Sequence, residues 1–289
     1  MMLFNILHHF TDRLKGKNWR HNRMFPPSFR VSHTSDHQVK FTYKNQRYTF
    51  PKAVTLSNKF SHSNANLVLS GPSIKSITQP SLLNRSFCFA VNGSPAFFNE
   101  HQIPYDAYVA DDPRYLEQYG LQAIKYAQQA SYVFLSYRSI FLLMQQGLNL
   151  AGLNIYVFDY QFMPFRQYRP TPVKPFFASN LSVGLGKSDT IAHIALQLAH
   201  GMGFAQVALF GLDLTMGGRF YDEANPAPQY LHDNWDKGIV APFMLVRDVV
   251  QNEHWPVFNC SPDSLLDTSI LPKCEPNQYL LNNQVSSFI

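Results

Sequence analysis

From Asn66 onward the chain repeats one pattern: a short apolar run, a turn rich in Gly, Ser, Asn or Asp, then a helical stretch. The strand candidates are Asn66–Ser70, Phe87–Val91, Tyr105–Ala110, Tyr132–Ser136, Ile155–Phe158 and Gln206–Phe210. Helical periodicity lies between several of them, notably over Pro113–Gln128 and Asp189–His200. Continuous apolar strands separated by helices predict strands buried on both faces. That means an α/β fold with a Rossmann-like, doubly wound, mostly parallel sheet. Such a sheet binds ligands at the carboxyl ends of its strands, so each strand-end turn is a candidate site.

The N-terminal part reads differently. Leu3, Ile6, Leu7, Phe10 and Leu14 share one face at helical spacing, and Pro26–Pro27 end the pattern. Val39–Phe50 alternates apolar and polar residues around Lys44–Asn45, as a β-hairpin does. The net charge of +5 resides wholly in residues 1–30, where six basic residues face one acid. The expected organisation is therefore a basic amphipathic arm over 1–35 and a single α/β domain over 36–289. A neutral main domain argues against a nucleic-acid face. The arm suits either an anionic membrane surface or packing on the domain. No apolar run is long enough for a membrane span, and the N-terminus lacks the order of a signal peptide. Three cysteines, Cys88, Cys260 and Cys274, without C-x-x-C spacing argue against a disulfide framework or a zinc site and for a cytoplasmic location.

The turns carry the candidate chemistry. Ser70-Gly71-Pro72-Ser73 allows close backbone approach and a helix start that suits an anion. Asn92-Gly93-Ser94 offers a neutral donor and acceptor for a base or sugar edge, or a plain turn. Asp111-Asp112-Pro113 is a helix start in which Asp112 faces the ligand without a metal. Gly186-Lys187-Ser188 ends like a phosphate loop, but Leu181 stands where the first glycine belongs; only Ser188, near a helix start, is kept as an anion contact. Gly211, Asp213, Thr215, Arg219 and Tyr221 form the densest polar cluster, a setting for a phosphate leaving group. His232, one of eleven histidines, follows as a candidate base. The Pro- and aromatic-rich stretch over 160–179 reads as a long binding loop or lid.

Four of these motifs, in order and spacing, resemble the bacterial Kdo transferases that add an extra Kdo to the lipopolysaccharide inner core. They are Leu69-Ser-Gly-Pro-Ser73, Ala90-Val-Asn-Gly-Ser94, Gly211-Leu-Asp-Leu-Thr215 with Arg219-Phe-Tyr-Asp-Glu223, and Asn259-Cys-Ser-Pro-Asp263 with Ile270-Leu-Pro272. The resemblance spans about residues 66–272 and is shared, more distantly, with CMP-sialic-acid-dependent lipooligosaccharide sialyltransferases. It implies a GT-A-like variant of the fold, a CMP-activated sugar as donor, and no metal or other cofactor. It also implies a lipid-linked oligosaccharide acceptor reached from the cytoplasmic face of the inner membrane, with residues 1–30 at the membrane surface. Oligomerisation stays open. The nucleotide-contacting Asn falls at Asn92, a second donor-contacting Asn at Asp112, and a helix-start serine at Ser188. The two phosphate-holding tyrosines fall at Thr215 and Tyr221, and the histidine base at His232. Three readings follow: a Kdo transferase, a sialyltransferase, and a membrane-surface binding protein without catalysis.

Overall fold

The computed structural model describes residues 25–34, 37–160, 176–215, 218–221 and 235–283. Among these residues, ten strands form two sheets. Strands β1 (Phe29–His33), β2 (Gln38–Tyr43) and β3 (Gln46–Pro51) make an antiparallel sheet in the order β1-β2-β3. The other seven are β4 (Asn64–Val68), β5 (Phe87–Val91), β6 (Ala107–Ala110), β7 (Tyr132–Ser136), β8 (Ile155–Phe158), β9 (Gln206–Phe210) and β10 (Val257–Asn259). They form one sheet in the order β10-β9-β4-β5-β6-β7-β8, and every adjacent pair is parallel.

Both faces of this sheet are buried, which is why its strands read as unbroken apolar runs. Along β9, Ala208 and Phe210 pack on one side and Val207 and Leu209 on the other. The first face carries α1 (Pro95–Glu100), α2 (Pro113–Ala127) and α3 (Tyr137–Gln145), with α6 (Pro276–Asn282). The second carries α4 (Ile191–Gly201) and α5 (Ala241–Glu253). Within this sheet the chain enters at β4 and steps outward through β5 to β8. It then returns through α4 to place β9 on the other side of β4. Connections leave β4 and β9 towards opposite faces, so the crevice at their carboxyl ends is the topological switch point.

Helix starts follow local chemistry. Asp112 caps α2 by accepting from the Arg114 amide at 3.0 Å, with Pro113 in the first helical position. Ser136 caps α3 through the Ser139 amide, so β7 passes into a helix with no intervening loop. Thr190 caps α4, two residues later than the sequence suggests for that helix start.

The hairpin forms where expected, with Lys44 at φ +52° in its turn. The domain boundary shifts, however. Residues 29–33, assigned by sequence to the basic arm, form β1 and belong to the folded body. The reason is aromatic packing: Phe29, Phe41 and Tyr43 close around Phe141 and Tyr137 of α3, with Phe29–Phe141 ring centroids 5.0 Å apart. Each such buried aromatic contributes roughly 1.5–3 kcal/mol. The small sheet also shields the outer edge at β8, where Lys52 bridges to Val157. The amphipathic helix expected before Pro26 lies outside the described residues.

Candidate active site at the switch point

The ladder between β4 and β9 continues past both strand ends. The Leu69 amide donates to the Phe210 carbonyl at 2.8 Å, and the Gly71 amide to the Gly211 carbonyl at 3.0 Å. Gly71 is needed here for proximity: a Cβ on it would lie 2.5 Å from the Gly211 oxygen and 2.6 Å from Cγ of Asp213. Gly211 itself takes φ +73°, which favours glycine.

Asp213 locks the two turns together. Its carboxylate, only 3% exposed, accepts from the Ser73 amide at 2.7 Å and from the Ser73 hydroxyl. Pro72 opens the single helical turn Pro72–Ser76 that positions Ser73. The Asn259-to-Asp263 motif supports the same turn from outside: the Ser261 hydroxyl accepts from the Leu212 amide at 2.7 Å, and the Leu265 amide donates to the Asp213 carbonyl. Ser73 and Asp213, both expected to face the donor, therefore satisfy each other and shape the crevice.

A third chain segment closes over it. Arg219 Nη1 donates to the Ser70 hydroxyl at 2.7 Å, and the Phe220 amide to the Ser70 carbonyl at 3.0 Å. Tyr221 lies on Gly93, where a Cβ would stand 1.9 Å from the tyrosine oxygen. Any side chain at position 93 would displace Tyr221. Thr215 is half-buried on the same connection, after Leu214 at φ +58°.

Asn92 takes φ +45° at the end of β5 and is buried. Its carbonyl accepts from the Tyr108 hydroxyl at 2.9 Å, while its Oδ1 meets no partner among the described residues. A buried acceptor without a partner is costly, and a ligand donor would remove that cost. Ser94 departs from expectation. Its hydroxyl accepts from the Val91 amide and donates to the Val68 carbonyl, tying β4 to β5, so it is spent within the fold. Ser188 likewise bonds to the backbone of Thr190 and does not sit at the start of α4. Asp112 commits Oδ1 to capping α2. The structure thus brings together Ser70–Ser73, Asn92, Gly93, Gly211, Asp213, Arg219 and Tyr221. His232 lies outside the described residues, as do Asp222, Glu223 and residues 161–175.

A second polar group, not anticipated from sequence, lies at the ends of β6, β7 and β8. Asp111 accepts from the Ser139 hydroxyl at 2.6 Å and from the Tyr160 hydroxyl. Burial raises the pKa of Asp111. Asp159 is pushed up to about 7, by burial first and by the nearby Asp111 charge, although Lys52 and the Tyr160 amide oppose the shift. A folded-state pKa above the ordinary value means that the folded protein binds this proton more tightly than the unfolded chain. Stability linked to Asp159 is therefore full below about pH 4 and falls as pH rises to about 7. Asp159→Asn is expected to raise stability at pH 8 by about 1–2 kcal/mol and to flatten this fall. Denaturant melts from pH 4 to 8 check it; an unchanged slope would remove Asp159 as the cause.

Residues 173–277 match the family model described as WaaZ_KDO_III, 3-deoxy-D-manno-octulosonic acid transferase WaaZ. The chain is 28% identical over 256 residues to a probable 3-deoxy-manno-octulosonic acid transferase of Escherichia coli strain K12, spanning 79% of this chain and 89% of that protein. A probable transferase of the same description from Salmonella typhimurium strain LT2 is 34% identical over 98 residues, or 33% of this chain and 35% of the relative. Among solved structures, the sialyltransferase CstII of Campylobacter jejuni with cytidine-5'-monophosphate aligns at TM-score 0.45 and 13% identity, over 75% of this chain and 86% of that one. The MAf glycosyltransferase of Magnetospirillum magneticum AMB-1 aligns at TM-score 0.48 and 14% identity, over 78% of this chain and 37% of that one. Over most of its length, then, this chain is similar to 3-deoxy-manno-octulosonic acid transferases, the glycosyltransferase family that its spaced turn motifs resemble.

Proposed function

We propose that this chain is a glycosyltransferase that moves a ulosonic acid, Kdo, from its CMP ester to a hydroxyl of the lipopolysaccharide core. One observation carries the reading: at the switch point, the Ser70–Ser73 turn, Asn92 and the Arg219–Tyr221 segment converge on one crevice. The family match over 173–277 supports it, because that stretch holds Gly211, Asp213, Thr215, Arg219 and Tyr221.

The proposed chemistry suits these groups. The anomeric carbon of a ulosonic acid is fully substituted and carries a carboxylate. Its bond to the CMP phosphate oxygen breaks through an oxocarbenium-like state, and the electron pair leaves with CMP. The hydroxyls of Tyr221 and Thr215 stabilise that phosphate charge, so the step needs no metal ion or further cofactor. Arg219 pairs with the sugar carboxylate. Asn92 and the Ser70–Ser73 turn hold the cytidine. The acceptor oxygen forms the new bond, and its proton passes to His232.

Parallel incubations with CMP-Kdo and CMP-sialic acid test the proposal by following CMP release with a core-oligosaccharide acceptor. Release from CMP-Kdo alone is the expected result. Release from CMP-sialic acid alone would replace it with a sialyltransferase. No release, and no thermal stabilisation by CMP, would leave a binding protein without catalysis. The enzyme would work at the cytoplasmic surface of the inner membrane, because its acceptor is lipid-linked. No helix among the described residues is long and apolar enough to cross a membrane. The six cations among residues 1–30 would supply attraction to anionic lipid. Loss of residues 1–24 should then weaken binding to anionic vesicles; unchanged binding would remove the arm from the proposal.

A further inference from the structure

We infer that Tyr108 is a positioning residue for the nucleotide, acting through the backbone of Asn92, and that Tyr115 assists it. The inference rests on the proposed role of Asn92 in holding the CMP base.

Tyr108 sits in the middle of β6, fully buried, where an apolar side chain would ordinarily pack. Its hydroxyl donates to the carbonyl of Asn92 at 2.9 Å. That residue follows β5, the strand beside β6, and its amide donates to the Val109 carbonyl at 3.0 Å. Asn92 is thus held at both ends of its own backbone by β6. The restraint has something to oppose, since φ +45° is a conformation that non-glycine residues adopt at a cost. Held there, Asn92 keeps an Oδ1 that is buried and has no partner among the described residues. A side chain fixed with an open acceptor is preorganised for a donor such as an exocyclic amine, and binds it with less loss of freedom.

Tyr115, in the first turn of α2, places its hydroxyl 3.5 Å from that of Tyr108. It also lies within electrostatic reach of Tyr221 and Arg219. The two tyrosines therefore run from the Asn92 backbone to the segment that would hold the phosphate. Burial keeps both phenols protonated, so the Tyr108 hydroxyl remains a donor at any working pH.

The test is a double-mutant cycle on CMP binding, read by calorimetry, with melting temperature recorded in parallel. Tyr108→Phe removes one oxygen and keeps the ring. It is expected to weaken CMP binding about tenfold, the size of one well-formed buried hydrogen bond. In an Asn92→Gly background, which keeps the backbone conformation but has no side chain to position, the same change should cost less than about twofold. Tyr115→Phe should weaken CMP binding roughly two- to threefold and serves as the second variant if Tyr108→Phe does not fold. An equal loss from Tyr108→Phe in both backgrounds would overturn the inference and leave Tyr108 a purely structural residue. So would a fall in melting temperature with unchanged affinity. If the wild-type chain binds no CMP, the functional proposal itself fails and this inference with it.

Discussion

Replacing His232 with alanine is expected to lower transfer by roughly 10²- to 10⁴-fold while CMP affinity stays within about twofold. The acceptor hydroxyl is a weak nucleophile at neutral pH, and it needs a group that gains a proton as the new bond forms. Imidazole is the side chain whose ordinary pKa suits that task. Four of the described histidines are placed for other work. His193 is fully buried in α4, its pKa lowered to about 4 by burial, with Nδ1 against the Gln197 amide at 3.0 Å. His200 pairs with Glu253 at 2.9 Å and meets Trp255 edge to face. His33 lies in β1 of the small sheet, and His101 ends α1 against Phe97. None of these four belongs to the switch-point turns. The measurement is a single-turnover rate with CMP-Kdo, alongside CMP binding by calorimetry. Transfer that survives within tenfold would show that another group takes the proton. An equal loss of CMP binding would make His232 a binding residue instead.

The sheet was readable because its strands are buried on both sides. Phe87–Val91, Tyr132–Ser136, Ile155–Phe158 and Gln206–Phe210 match their apolar runs end to end, each bounded on at least one side by a polar or turn residue. What escaped lacked such a boundary or such a run. Helix α3 follows β7 without a turn, so no loop residue marks where it begins. Strand β10 has three residues, too few for a period. Strand β1 carries Arg30 and follows a basic stretch, so charge masked its alternation. In the site, glycines were the dependable signal, because Gly71, Gly93 and Gly211 mark close backbone approach wherever they occur. Hydroxyl and carboxyl groups were not dependable. Ser73 and Asp213 bond to each other across the sequence and Ser94 reaches back to Val68, and only the assembled sheet sets those partners. Tyr108 escaped for the opposite reason: mid-strand, it looks like core, and its hydroxyl acts on a neighbouring strand.

Asp213→Ala is expected to cost about 3 kcal/mol of stability and to abolish stabilisation by CMP. The carboxylate joins the turn after β9 to the turn after β4 across 140 residues of sequence. Truncation would leave the buried Ser73 amide and hydroxyl without their acceptor, and an unsatisfied buried donor costs about 1–3 kcal/mol. Bonds to a charged acceptor lie at the upper end of that range. A loss of this size would lower the melting temperature by roughly 10 °C in a domain of this length. The functional effect comes from geometry. Without the lock, Ser73 no longer holds the Ser70–Gly71 turn against Gly211, and Arg219 loses its fixed partner at Ser70. Asp213→Asn separates the two effects. Its remaining carbonyl oxygen can accept one of the two Ser73 bonds, so about half the stability should return, with weakened but measurable CMP binding. Thermal melts with and without CMP decide the matter. If Asp213→Ala melts like the wild type and is stabilised equally by CMP, the two turns are held together by the Gly71–Gly211 ladder and the outer Ser261 contact alone. Asp213 would then be dispensable to the crevice.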